Sequence, residues 1–435
     1  MNKMAIIADD LTGASDAGVQ LARKGIATRV VFDLRRLVSG TGETAAAESL
    51  VIDTDSRAVS AAEAYRRVKE AAARLRQLGF AHLNKKIDST LHGNLGAEID
   101  GVLDAFPFDF AAVAPAFPKI GRTTVNGHHY LRGQPIHQTE IGRDPKSPVH
   151  QSDVSVLLNT QSKRKSGSIG LDVLRAGKQA VLERLQSLLA SGMELVVFDA
   201  ETDTDLERIA ELAETEHRIL WVGSAGLADR LPARLGLPVG ERRPLVIPPA
   251  TKPVLLVEGS TSSITREQVG VFCQQPDVTA VEMNPLPVVQ GGSAAGAEID
   301  RCRSELLAAI GQGKDAALYA GSAPGQVAAA NALGEKLGLD RTQISDRIAD
   351  ALGAAAAQAI ENSELQGVIL TGGDTAKAVC KQLGVTGLEL LQELEPGVPI
   401  SRLAGQRSIL TVTKAGAFGT KETLLHARSV LKGVD

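Results

Sequence analysis

Short apolar runs alternating with helix-length amphipathic stretches constrain this chain more than any other feature. In the first half the runs are "MAIIA", "TRVVF", "SLVID", "FAHLN" and "FAAVAPAF", and between them lie "ASDAGVQLARKG", "SAAEAYRRVKEAAARLRQLG" and "GAEIDGVLDAF". Strand and helix in regular succession bury their apolar surfaces best as a largely parallel sheet covered by helices. The carboxyl ends of such strands open into a cleft. From about Val125 to Gly170 the chain is polar and rich in His, Arg, Lys and Ser, and it is expected to run irregularly over that cleft. "MELVVFDA" and "RILWVGSAGLADRL" then resume the alternation.

A chain of 435 residues exceeds what one ordinary core encloses, so two domains are expected. The composition shifts at "PARLGLPVGERRPLVIPPATKP", Pro232 to Pro253, where prolines and glycines interrupt regular structure. The expected division is a substrate domain over 1–235, a linker over 236–253 and a second domain over 254–435. Beyond the linker "VLLVEGS", "ALYAGS", "GVILTGG" and "SILTVTKAGAFG" each run into small or hydroxyl residues. The fold class is therefore α/β: two domains, each a largely parallel sheet flanked by helices, with an active-site cleft between them. Forty-three glycines and 3% aromatic residues suit such a turn-rich protein.

Charge and cysteine usage exclude several functions. A net charge of −4 lacks the concentrated basic surface that nucleic acid demands, so no nucleic-acid partner is expected. Cys273, Cys302 and Cys380 are too widely spaced for a disulfide framework or a common zinc pattern. The opening "MNKMAIIADD" reaches two aspartates too soon for a signal peptide, and no stretch approaches the roughly 20 apolar residues of a membrane span. A cytoplasmic protein without a membrane partner is expected, and a homodimer is left open.

Three strand ends in the first half carry charge. "IIADDLTGASDAG" places Asp9 and Asp10 after an apolar run, "VIDTDSRA" places Asp53, Asp55, Ser56 and Arg57, and "NKKIDSTLHGN" places Lys85, Lys86, Asp88 and Ser89. Strand alternation would send Asp9 and Asp10 to opposite faces. Asp10 is a candidate helix cap, as are Asp88, Ser89 and Asn94. Capping does not account for the cations: Arg57 and Lys86 can hold a carboxylate while aspartates accept from hydroxyls. That combination fits a small polyhydroxy acid. Pairing of Arg57 with Asp53 or Asp55 is the alternative. Arg122, Thr123, Thr124, His128, Thr139, Asp144 and Pro145 follow as further candidates, and His128, His129 and His137 lack the carboxylate spacing of an established metal site.

The second half has no G-x-x-x-x-G-K-[ST] loop and no dinucleotide fingerprint. It has instead "EGSTSS" from Glu258, "LTGGDTA" from Leu370 and "TKAGAFGTKET" from Thr413. Each can present backbone N–H groups to a phosphate at the positive end of a helix.

In order along nearly the whole chain, "IADDLTGASDAGVQLARKG", "DTDSRA", "KKIDSTLHGN", "APAFPKIGRTT", "GSTSS", "TGGDTA" and "KAGAFG" resemble the four-carbon acid sugar kinase family. Within it the details look closest to the D-threonate kinases. The resemblance implies ATP-dependent phosphorylation of the 4-hydroxyl of a four-carbon sugar acid, with Mg²⁺ accompanying ATP. It implies substrate contacts at Asp10, Arg57, Lys86, Ile87, Asp88 and Ser89; as base, Asp10 is the first choice because it lies at the tip of the first strand, and Asp88 is the alternative. ATP contacts are implied at Ser260, Gly372, Gly373, Asp374, Thr375 and Gly416; metal ligands are not identified. His92 stands where the family often has arginine. D-erythronate and 3-oxo-tetronate are alternative substrates; a sugar-acid dehydrogenase and a non-catalytic sugar-acid binder are alternatives of other classes.

Overall fold

The computed structural model describes residues 3–34, 37, 47–143, 148–240, 244–404 and 408–434. It divides into two compact units, residues 1–242 and 243–435. Within the first, the apolar runs become β1 (Met4–Ala8), β2 (Thr28–Val31), β3 (Ser49–Asp53), β4 (His82–Lys86) and β5 (Phe110–Ala114). These join β9 (Ser166–Ile169), β10 (Leu195–Phe198) and β11 (Ile219–Gly223) in the order β2-β3-β1-β4-β11-β5-β10-β9, all parallel. Every residue of β1, β3 and β5 is buried, as expected of strands covered on both faces.

The stretch expected to be irregular is more ordered than its composition suggests. Around it a small antiparallel sheet forms from β6 (Arg122–Val125), β7 (His128–Leu131) and β8 (Gln134–Pro135). The turn between β6 and β7 is Asn126-Gly127, with both φ angles positive at 51° and 75°, the backbone that a two-residue hairpin requires. Asp199 accepts both N–H groups of this turn, at 2.7 and 2.9 Å. A helix, Val154–Gln161, then leads to β9 on the edge of the large sheet.

In the second unit β12 (Val254–Glu258), β13 (Val278–Met283), β14 (Asp315–Ala320), β15 (Gly367–Thr371) and β18 (Leu410–Lys414) are parallel in the order β13-β14-β12-β15-β18. The sheet continues into an antiparallel hairpin of β16 (Gly387–Glu395) and β17 (Val398–Ala404), β17 pairing with β18. Its alternation of charged and apolar residues, closed at Pro396-Gly397, was not read as strand. Pro232, taken as the start of the interruption, lies inside the helix Ala225–Arg234. There it has no N–H to give to the carbonyl of Ala228, so the helix forgoes one backbone bond near its end.

Strand alternation decides what the paired lysines at the end of β4 do. Lys85 turns into the core, fully buried, and its ammonium lies 2.7 Å from Glu98 of the helix Leu95–Ala105 and 2.7 Å from the Lys86 carbonyl. Lys86 points to the other face, toward the helix Leu11–Arg23, where its ammonium stands 3.0 Å from the position a Cβ on Gly13 would take. Glu98 also accepts from Ser56 at 2.6 Å, and burial raises its pKa despite the lysine. Removing one member of such a buried pair leaves a charge without a counterion. We expect Glu98→Ala to destabilise the protein by roughly 3–5 kcal/mol. The Lys85→Met/Glu98→Leu double variant should recover most of that loss in the urea midpoint.

Candidate functional site

The strand order β3-β1-β4 sets the three charged ends side by side. β1 stops at Ala8, so Asp9 and Asp10 lie in the turn that follows, and strand alternation does not separate them. Both carboxylates reach Arg57. The Arg57 Nε donates to Asp9 Oδ2 at 2.7 Å, and Nη2 donates to Asp9 Oδ1 at 3.1 Å and Asp10 Oδ1 at 2.9 Å. Asp10 Oδ1 also accepts the Gly13 N–H at 2.8 Å, capping the helix Leu11–Arg23. Asp53 accepts the Asp55 N–H, and Asp55 lies 3.9 Å from Arg67. The counterions that hold Arg57 are therefore Asp9 and Asp10. Burial opposes ionisation of Asp9, but Arg57, then Lys85 and Lys86, hold its carboxyl below the usual range.

The loop carrying Arg57 is fastened from below. Ser56 and Arg57 donate their N–H groups to the Asp9 carbonyl, at 2.9 and 3.3 Å. Asn94, expected as a helix cap, makes no capping bond; its amide donates to the carbonyls of Ser56 at 3.0 Å and Val59 at 2.9 Å. Gly93, with φ 101°, brings the neighbouring turn against Arg57, and a Cβ there would stand 3.4 Å from Arg57 Cγ and from Asp9 Oδ2. Leu91 holds φ 65° in the same turn, an uncommon angle for a residue with a bulky side chain.

Asp88 is fully engaged. Its Oδ1 accepts the Thr90 N–H at 3.1 Å, while Oδ2 meets the Thr90 hydroxyl and, at 2.6 Å, His92 Nδ1. Burial would raise its pKa, but Arg57, His92 and Arg122 hold it well below the ordinary carboxylate value. Ile87 is buried and its carbonyl accepts from the Lys86 ammonium at 3.1 Å. Ser89 receives a hydrogen bond from Arg122 on its hydroxyl and lies 2.9 Å from His129 Nε2 through its carbonyl. Thus Asp10, Arg57, Lys86, Ile87, Asp88, Ser89 and Arg122 belong to one cluster.

The remaining candidates fall elsewhere. Thr124 holds the other nitrogen of His129 at 2.9 Å, Thr139 bonds the Ile136 carbonyl and His128 is exposed. Thr123 is half-buried in β6. Asp144 and Pro145 lie outside the described residues. Sequence reasoning did not find Glu98 or Gly93, nor the roles of Asn94 and His129 in holding their neighbours. Only the "HGN" turn carried a signal for any of them.

In the second unit the ends of β12, β15 and β18 are adjacent, and their glycine turns meet. A Cβ on Gly416 would stand 2.2 Å from the Ser260 hydroxyl; one on Gly372, where φ is 95°, would stand 3.4 Å from Thr375 Oγ1 and 3.7 Å from the Ser260 nitrogen. Gly373 opens the helix Gly373–Gln382, with Asp374 and the buried Thr375 in its first turn. Ser262 donates its N–H to Ser260 Oγ at 3.2 Å just before the helix Ser263–Cys273. Two helix N-termini and side-chain-free backbone at one place provide a ready anion cradle.

A family model described as a sugar-binding N-terminal domain matches residues 4–231, and one described as a nucleotide-binding C-terminal domain matches 255–424. A D-threonate kinase of Salmonella typhimurium is 34% identical over 98% of this chain and 97% of its own. The chain belongs to the four-carbon acid sugar kinase family. Other members of the family are as near: a D-erythronate kinase of Heliobacterium modesticaldum is 35% identical over 97% of this chain and 95% of its own. Among solved structures, a Haemophilus influenzae protein of the DUF1537 family superposes with TM-score 0.72 at 26% identity, covering 98% of this chain and 100% of that one.

In this family member, burial pushes the His129 imidazole down to about 4, aided by Arg122 and opposed by the Ser89 carbonyl and Asp88. An unfolded histidine titrates near 6.5. The folded state therefore binds fewer protons, and the stabilisation is complete above pH ~6.5 and is lost as pH falls toward ~4. We expect the loss to be on the order of 3 kcal/mol across that window. Denaturant midpoints measured against pH should show a shallower dependence in His129→Gln.

Proposed function

We propose that this protein is an ATP-dependent kinase that phosphorylates the 4-hydroxyl of D-threonate, giving 4-phospho-D-threonate. The observation that carries the reading is the cluster at the ends of β3, β1 and β4, in which fixed cations and carboxylates stand within reach of one small ligand. The names of the relatives, kinases of D-threonate, D-erythronate and 3-oxo-tetronate, support the reaction class.

The residues divide the work by what their atoms leave unoccupied. Among the described residues Asp10 uses only Oδ1, on Gly13 and Arg57; Oδ2 is left to accept the proton of the attacking hydroxyl. Asp88 spends both oxygens on Thr90 and His92 and is held strongly ionised, which makes it the weaker base and an acceptor for a substrate hydroxyl. Lys86 supplies the ammonium for the sugar-acid carboxylate, together with the edge of Arg57 that the aspartates leave, Nη1. Ile87 and Ser89 shape the backbone beside it. In the second unit Ser260, Gly372, Gly373, Asp374, Thr375 and Gly416 would receive ATP, which enters with Mg²⁺ as its counterion. Phosphoryl transfer asks mainly for alignment and charge neutralisation.

Incubation with ATP, Mg²⁺ and separate samples of D-threonate, D-erythronate, 3-oxo-tetronate and threitol tests the proposal through ADP release. The expected result is the highest kcat/KM with D-threonate and little turnover of threitol, which lacks the carboxylate. Turnover of threitol as fast as the acids, or none with any acid, would sink the reading. Asp10→Asn should lower kcat by roughly 10²–10⁴-fold; near-normal kcat, with Asp88→Asn inactive, would transfer the role of base to Asp88. Gly416→Val should abolish ATP binding measured by calorimetry while sparing the sugar acid, because its side chain would displace Ser260.

A further inference from the structure

Lys414 ends β18 with its side chain almost fully buried. Its ammonium donates into a ring of oxygens: the carbonyls of Ala415 at 2.8 Å, Gly416 at 3.3 Å and Phe418 at 3.2 Å, and Thr265 Oγ1 at 3.2 Å. Thr265 donates in turn to the Gly416 carbonyl at 2.7 Å, and Gln268 donates to the carbonyls of Phe418 and Thr420 at 3.1 and 2.6 Å. The turn after β18 is thus gripped by its carbonyls. Among the described residues the N–H groups of Gly416 and Ala417 find no protein acceptor, and they belong to half-buried and exposed residues. A turn with its carbonyls drawn inward around a cation and its N–H groups left for a ligand is matched to an anion.

We infer that Lys414 is a positioning residue for the nucleotide: by gathering the carbonyls of residues 415–418 it aims the N–H groups of that turn at the phosphates of ATP, beside Ser260. The inference rests on the reading that this unit binds ATP. The ammonium works from behind the backbone, so its charge also favours the polyanion without touching it.

The surroundings make this arrangement sensitive to alkali. Burial pushes the Lys414 amine down to about 8, against the pull of Glu258 from β12 and Glu395 from β16. Burial pushes Glu258, which accepts the Ser260 N–H at 2.6 Å, up to about 8, against Lys414 and Arg266. Glu395 is itself held by His426 and Thr423. As pH rises past ~8 the lysine loses its positive charge and Glu258 gains a negative one, and both changes disfavour ATP.

Calorimetric titration of the full-length protein with ATP and Mg²⁺, and separately with D-threonate, tests this at pH ~7 and ~9. The expected result is an ATP affinity that falls about 10-fold or more between the two for the wild type. In Lys414→Met, ATP affinity at pH ~7 should be at least roughly 10-fold weaker, the size of a lost charged hydrogen bond, with a shallower pH slope and unchanged D-threonate affinity. ATP affinity and slope equal to wild type would overturn the inference alone; a wild type that binds no ATP would overturn the nucleotide reading and the inference with it. Should Lys414→Met fail to fold, the near-isosteric Thr265→Val decides. A several-fold weakening confined to ATP supports the inference, and unchanged affinity overturns it.

Discussion

The guanidinium of Arg57 lies against two carboxylates that the end of β1 delivers as sequence neighbours. Two carboxylates so close repel each other, and burial alone would favour the protonated form of Asp9. Arg57 holds the Asp9 carboxyl below its usual range, and by bonding both aspartates it ties the loop after β3 to the turn after β1. Asp88, Lys85 and Lys86 are arranged around this centre, so the electrostatic balance of the cluster depends on it. A guanidinium suits the task because its planar fork can serve two carboxylates at once, which an ammonium cannot do with fixed geometry.

On the proposed function the two units would meet their ligands by different physics. The first would use side chains: cations and carboxylates packed with Asn94, His129, Thr90 and Glu98. The second would use backbone: Gly372 and Gly416 lie where a Cβ would crowd Ser260 or Thr375, and the Lys414 ammonium bonds the carbonyls of the turn. A four-carbon acid differs from its stereoisomers only in where hydroxyls point, so directional side chains are needed. A triphosphate is recognised by charge and by close approach, for which peptide N–H groups suffice.

Much of this was legible in the sequence. The period of the apolar runs determined the α/β class and the parallel strands, because a strand buried on both faces and followed by a helix has few other ways to hide its surface. Asp10, Arg57 and Lys86 at strand ends, and Ser260, Gly372 and Gly416 in glycine turns, were legible as candidates, and each set comes together at neighbouring strand ends. The Asn126-Gly127 hairpin was also written there, but the polar composition around it masked the signal.

Tertiary structure alone decided the partners. Asp9 and Asp10 were expected on opposite faces, yet both meet Arg57 because β1 stops at Ala8, before either of them, and a turn, not a strand, sets their directions. Lys86 alone was read as a cation for a carboxylate, and only the packing of the helix Leu95–Ala105 shows what its neighbour does: Lys85 is the counterion of Glu98. Nothing in the sequence singled out Lys414. Sequence periodicity reports which face a residue occupies; which charge it will find there depends on strands and helices distant in the chain, and that is set only when the sheet order brings them together.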